Sequence, residues 1–301
     1  MKKIQARNSC LLLLTAIVWG MAFVAQSAGM EHVGPFTFNS VRNIIGGLVL
    51  IPVILTIRKI NEEQRPFVTK IELIGGVCCG VALFAASSFQ QQGILYTTVG
   101  KAGFITALYV VIVPILGLFF KKRVSLLTWI CVILAIVGLY LLCMTGDSLA
   151  LNHGDLMVLI CAVIFAIHIL IIDYFSPKGD GVTMSCIQFL TCGVLAGIGM
   201  IFEQPTVDQI VTAKWPILYA GILSCGVGYT LQIVGQKGVN PTVASLILCL
   251  ESVVAVVAGW LFLGETLSAR EFVGCALMFV AIVMAQLPIS NKKKIEGDLI
   301  Q

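Results

Sequence analysis

Ten apolar runs, each nearly free of charge and separated by short polar connections, organise this chain. They cover residues 9–29, 36–57, 71–95, 102–120, 126–144, 155–175, 182–202, 215–235, 242–263 and 272–288. About 20 apolar helical residues cross a hydrocarbon core of about 30 Å, so each run predicts a transmembrane helix. The first run follows Met1, Lys2 and Lys3 as a signal peptide would. Nine further spans follow it, and it is expected to remain attached. No connection exceeds about 13 residues, too few for a soluble domain on either side of a membrane.

The runs also repeat. A shift of 142 aligns Gln90 with Gln232, Gly93 with Gly235, Ala102 with Ala244, Ile105 with Ile247, Leu108 with Leu250 and Gly117 with Gly259. A shift of 146 aligns Ala16 with Ala162 and Gly47 with Gly193, and a shift of 143 aligns Ser125 with Ser268. Five spans per unit is an odd number, so the second unit must enter the membrane upside down. The predicted fold is all-α and integral to the membrane: ten transmembrane helices in two five-helix inverted-topology repeats, residues 1–146 and 147–301, the second with a basic tail. Inverted repeats are characteristic of secondary transporters, whose substrate site lies at the repeat interface near the midplane.

Composition sharpens this picture. Of 301 residues, 58% are apolar and 11% charged, against roughly a quarter charged in soluble domains, which excludes a soluble enzyme. A net charge of +4 is too small to indicate nucleic-acid binding. The position of the positive charges matters more than their sum. With the N-terminus inside, 15 Lys and Arg residues fall on the cytoplasmic side, and only Lys101, Lys214 and Arg270 fall outside. Positive loops stay cytoplasmic, so a multi-pass cell-membrane protein with both termini cytoplasmic is expected. The 11 cysteines lie in or beside apolar runs without metal-ligand spacing, and read as small buried thiols. No metal or cofactor is expected, and no ATP-binding stretch is present.

The segment Gly103-Phe104-Ile105-Thr106-Ala107-Leu108-Tyr109-Val110-Val111-Ile112-Val113-Pro114-Ile115-Leu116-Gly117 resembles the fourth helix of the drug/metabolite transporter superfamily, EamA-domain type. Trp19-Gly20, Arg42, Leu250-Glu251-Ser252 and Leu263-Gly264-Glu265-Thr266-Leu267-Ser268 fall in the matching order across both halves. Two places depart from the pattern: Ser252 stands where a proline often follows the glutamate, and Lys121-Lys122-Arg123 replaces a Gly-Glu motif. The resemblance implies a ten-helix carrier with a central cavity, moving small organic metabolites or drugs, with export the more common direction.

Polar groups at membrane depth are few, and a charge there costs about 2.5 to 3.5 kcal/mol on insertion scales. Glu251 lies near the middle of the ninth span. It reads as a protonatable cavity group that couples proton movement or holds an ammonium, or as a carboxyl hydrogen-bonded within the bundle. Arg42, six residues into the second span, reads as a fixed charge for a carboxylate or phosphate, or as a snorkelling or internally paired side chain. Tyr109 aligns with Glu251 at shift 142. Trp19, Gln90 and Gln232 complete the candidate substrate and coupling set. His168 reads as a proton carrier or as a satisfied structural group. Gly76 with Gly80, and Gly193 with Gly197, read as helix-packing pairs, and Pro114 as a kink beside Tyr109.

These residues predict a secondary carrier working by alternating access on amphoteric metabolites such as amino acids, with a small-molecule substrate and the lipid bilayer as partners. Proton coupling is part of that expectation. Oligomeric state is not encoded in any feature of the sequence. The competing readings are an integral membrane lipid-modifying enzyme, for which no nucleophile or metal cluster stands out, a channel, and a partner-dependent membrane scaffold.

Overall fold

The structure, a computed structural model, describes residues 2–62, 65–97, 99–119, 124–143, 152–263 and 268–286. The basic run Lys121 to Arg123, the stretch Gly264 to Leu267 and Lys292 to Lys294 lie outside the described residues. So do the side chains of Lys2, Lys3, Lys101 and Cys143.

The helices are α1 (Lys2–Met30), α2 (Pro35–Ile60), α3 (Lys70–Ile94), α4 (Val99–Ala107), α5 (Tyr109–Phe119), α6 (Leu126–Cys143), α7 (His153–Phe175), α8 (Gly181–Glu203), α9 (Val207–Thr212) and α10 (Lys214–Leu218). A π-helical segment, Tyr219–Tyr229, leads into α11 (Thr230–Gln236), followed by α12 (Pro241–Leu248), α13 (Leu250–Leu263) and α14 (Ala269–Gln286). Among the described residues, seven helices are long and apolar enough to cross a membrane: Ile4–Met30, Pro35–Ile60, Lys70–Ile94, Ala102–Phe119, His153–Phe175, Gly181–Glu203 and Lys214–Gln236. This is an all-α, multi-pass membrane fold. The remaining predicted runs are helical as α6, α12 with α13, and α14. Large apolar side chains cover the outside, among them Leu48, Ile133, Val194 and Phe279. In water such a surface would aggregate; in lipid it is solvated.

Local chemistry sets the helix starts. Pro35 opens α2 at a position where a missing N–H costs nothing. Capping boxes, Thr69 with Glu72 and Asn152 with Asp155, open α3 and α7. The side chain of Asp180 caps α8.

Side-chain ties mark the two ends of the bundle. At one end the Glu203 carboxylate accepts from Phe36 N (2.9 Å), Thr37 N (2.7 Å) and Thr37 Oγ1 (2.6 Å), and Thr97 Oγ1 donates to Asp155 at 2.6 Å. At the other end, Arg65 pairs with Glu72 at 2.5 Å and reaches Asp180 at 3.7 Å. Arg58 there donates to Thr183 at 2.9 Å and Asn8 to the Lys237 carbonyl at 2.7 Å.

Packing is close where glycines permit it. A Cβ on Gly76 would lie 2.6 Å from Ile187 Cβ, and one on Gly80 would lie 2.7 Å from the Gln188 carbonyl, so α3 rides directly on α8. Gly193 and Gly197 face Ile44 and Ser40 of α2 in the same way. Seven of the cysteines are buried. Cys10 and Cys78 depart from the expectation of buried thiols: both are exposed on the outer surface, where lipid accommodates a small apolar thiol as readily as protein does.

Two predicted spans are interrupted. The fourth breaks at Leu108, between α4 and α5, and the ninth at Cys249, between α12 and α13. After each break the backbone tightens to a three-residue bond, Val111 N to the Leu108 carbonyl (3.0 Å) and Ser252 N to the Cys249 carbonyl (3.2 Å). Pro114 does not make the first break. It lies inside α5, six residues further on, so the N–H it lacks belongs to a later turn.

Candidate functional site

A central cavity is lined by Trp19, Ala22, Phe23 and Gln26 of α1, Arg42 of α2, Gln90 of α3, and Thr106 and Tyr109 from the two sides of the first break. Phe165 and Ile169 of α7, Ser224 and Tyr229 of the π segment, Gln232 of α11, and Leu248 and Glu251 from the two sides of the second break complete it. The six residues singled out in the sequence, Glu251, Arg42, Tyr109, Trp19, Gln90 and Gln232, therefore line one space. Its volume is about 40 Å³. One water needs roughly 10 to 15 Å³, so the space has room for a few waters and is smaller than an organic solute.

Helix geometry explains who faces inward. On α1 the lining positions follow a spacing of three, one and three, which is one face of a helix. Thr106 and Tyr109, like Leu248 and Glu251, are three apart across a break. At the centre Tyr109 Oη and Glu251 Oε1 are 3.1 Å apart, with both side chains buried. Glu251 is thus not isolated at membrane depth: its partner is 142 positions away in sequence.

Trp19 lies 4.4 Å from the Tyr229 ring, centroid to centroid, and its Nε1 donates to the Ser224 carbonyl at 3.4 Å. Thr15 donates to the Gly228 carbonyl at 3.1 Å. The π segment makes this possible. Its wide turns present backbone carbonyls sideways, and Gly228 leaves no Cβ in the way, since one would lie 2.7 Å from Trp19 Nε1.

Arg42 is 4% exposed, so it does not snorkel to a headgroup layer. Its guanidinium stands 5.4 Å from the Phe38 ring, and among the described residues it makes no ion pair or hydrogen bond. Gln90 Nε2 donates to Thr106 at 3.3 Å. Gln91 is turned away from the cavity toward Met30, and Gln92 borders a separate apolar groove with Phe36, Phe84 and Glu203. His168 is absent from the lining: its Nε2 is 2.9 Å from Gln188 Oε1, and both residues are fully buried. The bond places His168 off the cavity, but it satisfies only half of each group: His168 Nδ1 and Gln188 Nε2 are buried without a hydrogen-bond partner.

Sequence reasoning missed Gln26, Thr106, Phe165, Ser224 and Tyr229 as lining residues. The signal for Gln26 was available, seven positions after Trp19 and hence on the same helical face. Tyr229 also had one, standing one turn before Gln232; Ser224 had none, because it lies within the π segment, which departs from α-helical spacing.

Apolar outer walls around one shared cavity lined by one cation and one carboxylate give the bundle a place for a polar solute, which a partner-dependent membrane scaffold does not need. Comparison with known proteins gives the family. The model of the EamA-like transporter family matches residues 7–144 and again 152–286, and the chain belongs to that family. An uncharacterized transporter of Archaeoglobus fulgidus is 29% identical over 92% of this chain and 85% of its own. The uncharacterized transporter YwfM of Bacillus subtilis is 24% identical over 96% and 97%. A solved crystal structure with 17% identity superposes with a TM-score of 0.77 over 93% of this chain and 96% of its own, which shows the shared fold. The protein is a secondary transporter of small organic molecules, and the match is to transporters, not to lipid-modifying enzymes.

Proposed function

We propose that the chain is a proton-coupled alternating-access exporter of amphoteric metabolites such as amino acids, built as ten spans in two inverted five-span units, 1–146 and 147–301, with both termini cytoplasmic. Glu251, Arg42, Tyr109, Trp19, Gln90 and Gln232 form its substrate and coupling site. The observation that carries the reading is the cavity's own pairing. Five sets of lining residues are repeat equivalents: Trp19 with Phe165 and Phe23 with Ile169 at shift 146, and Gln90 with Gln232, Thr106 with Leu248 and Tyr109 with Glu251 at shift 142. A lining made of such pairs lies on the axis relating the two units, where a carrier keeps its substrate site.

Helix contacts support the inverted sense. A Cβ on Gly47 would meet Leu190 at 2.8 Å, and one on Gly193 would meet Ile44 at 2.8 Å; both pairs are equivalents at shift 146. Contacts between α2 and α8 run antiparallel, from Phe36 against Gly199 to Arg58 against Thr183. Equivalent helices that meet antiparallel about a two-fold need that axis in the membrane plane. A second equivalent contact is found at Gly93, facing the Gly154 carbonyl, and Gly235, facing the Asn8 carbonyl. Breaks at Leu108 and Cys249, one position from exact equivalence at shift 142, give the discontinuous helices that such carriers use at their sites.

Glu251 is the coupling residue in this reading, because it is the cavity's carboxyl and its partner Tyr109 can both donate and accept. The test is flux in proteoliposomes under an imposed pH gradient. Wild type is expected to accumulate amino acids against their gradient, and Glu251→Gln is expected only to equilibrate them. A pH-driven gradient that survives the substitution would remove the coupling role; flux that never saturates would indicate a channel.

A further inference from the structure

The two charged poles of the cavity are unequal before any substrate arrives. The Glu251 carboxyl already has the Tyr109 hydroxyl at 3.1 Å. Arg42 has a buried Nε without a hydrogen-bond partner, and no acid within reach among the described residues. An uncompensated buried charge is strongly unfavourable, and pairing it recovers that cost. An anion arriving at Arg42 therefore gains a partner that nothing else supplies. An ammonium arriving at Glu251 meets a carboxyl whose Oε1 already has the Tyr109 hydroxyl, so although lone pairs remain open to it, its net gain is smaller than that of an anion at the unpartnered guanidinium.

Arg42 is also where the lining departs from two-fold symmetry. Its equivalent at shift 146, Gln188, is withdrawn from the cavity and bonded to His168 at 2.9 Å. Unpartnered amide oxygens of Gln26 and Gln232 lie on the same lining; as acceptors they offer places for N–H or O–H groups of a ligand and leave the guanidinium as the lining's place for its anion. One cation on the lining matches one negative charge, as a carboxylate carries, better than the near-double charge of a phosphate monoester. The planar guanidinium fork fits a carboxylate with two parallel bonds. Trp19, Phe23, Phe165 and Tyr229 supply walls for an apolar or aromatic tail.

We infer that the obligatory feature of the substrate is a carboxylate docked on Arg42, carried on an apolar or aromatic tail, and that the ammonium group is dispensable. This rests on the carrier reading above and narrows it from amphoteric compounds to organic monocarboxylates, amino acids being one kind.

Two matched triplets test it on the full purified chain: leucine, isocaproate and isoamylamine; phenylalanine, hydrocinnamate and phenethylamine. Each triplet compares the amino acid with the forms lacking its amine or its carboxylate. Thermal stabilisation in detergent reads binding, and proteoliposome efflux reads transport. The amino acids and the simple acids are expected to stabilise wild type, and the amines not to. Arg42→Gln is expected to weaken acid binding about 10- to 100-fold, the usual worth of a charged hydrogen-bonded contact. Arg42→Lys keeps the charge but not the fork, and is expected to lose less; it also serves if the glutamine variant does not fold. Amines that bind as well as the acids, acid binding that is unchanged in Arg42→Gln, or no binding by any of the acids would overturn the inference. Acid binding without flux of any compound would instead sink the carrier reading and leave the Arg42 assignment standing; flux confined to the amines would do the reverse.

Discussion

Gly20 shows how a single hydrogen lets α1 lie against the turn that carries Glu251. A Cβ there would lie 2.5 Å from the backbone carbonyl of Glu251 and 2.5 Å from Val254 Cβ. Neither obstacle is the end of a flexible side chain. Gly20→Ala must therefore push α1 away from α13, and overpacking of this kind costs about 1 to 3 kcal/mol. The expected result is a lowered Tm together with slowed transport, because the displaced strand of contacts includes Trp19 and Glu251. A variant with unchanged Tm would mean that this helix contact is looser than drawn. The rare charges were readable before the fold was known, since in so apolar a chain Arg42 and Glu251 have no bland solvent-exposed role to play. Their partners were not readable. Tyr109 could be proposed through the repeat, but that the Glu251 carboxyl reaches its hydroxyl, and that Arg42 reaches no acid among the described residues, are facts of side-chain placement that spacing cannot supply.

Helix α2 carries Arg42 two turns from its start, and that start is held from outside the helix. Gly34 offers no side-chain cap, and the N–H groups of Phe36 and Thr37, which lack intrahelical partners, are taken by Glu203 at the far end of α8. A carboxylate at a helix N-terminus gains from both the hydrogen bonds and the helix dipole. Glu203→Ala is expected to lower stability by about 0.5 to 2 kcal/mol, the range for a lost cap, and Glu203→Gln by less, since an amide oxygen still accepts. Thermal unfolding of the two variants beside wild type decides it; equal stability of all three would show that water caps α2 as well as Glu203 does. A cap contributed from 166 or 167 positions away leaves no local motif, unlike the boxes of Thr69 with Glu72 and Asn152 with Asp155, which are local by nature. The same limit hid the π segment. Apolar periodicity marked a helix over 215–235, while the wider π turns of 219–229 follow no local motif; Gly221 and Gly228 there lie close against α2 and α1.

At the scale of the molecule, the inverted arrangement makes a demand that a parallel repeat does not. At shift 146 the connection after α2, at Glu62, is equivalent to the α9 segment, at Asp208; both residues are exposed. If the second unit is inverted, these two equivalent points lie on opposite sides of the membrane. If the units are parallel they lie on the same side. Charge assigns the sides, because Arg58, Lys59, Arg65 and Lys70 flank Glu62 while Asp208 has only Lys214 nearby, and positive connections stay cytoplasmic. An epitope inserted after Asp208 is expected to be bound by antibody on intact cells, and one after Glu62 only in inside-out vesicles. Both epitopes reachable from one side would end the inverted-repeat reading, and with it the two-fold axis through Tyr109 and Glu251. Exchange of the two would keep the symmetry but place the termini outside. The Arg65, Glu72 and Asp180 cluster lies at the Glu62 end of the bundle, so the same labelling decides on which face of the membrane that cluster lies.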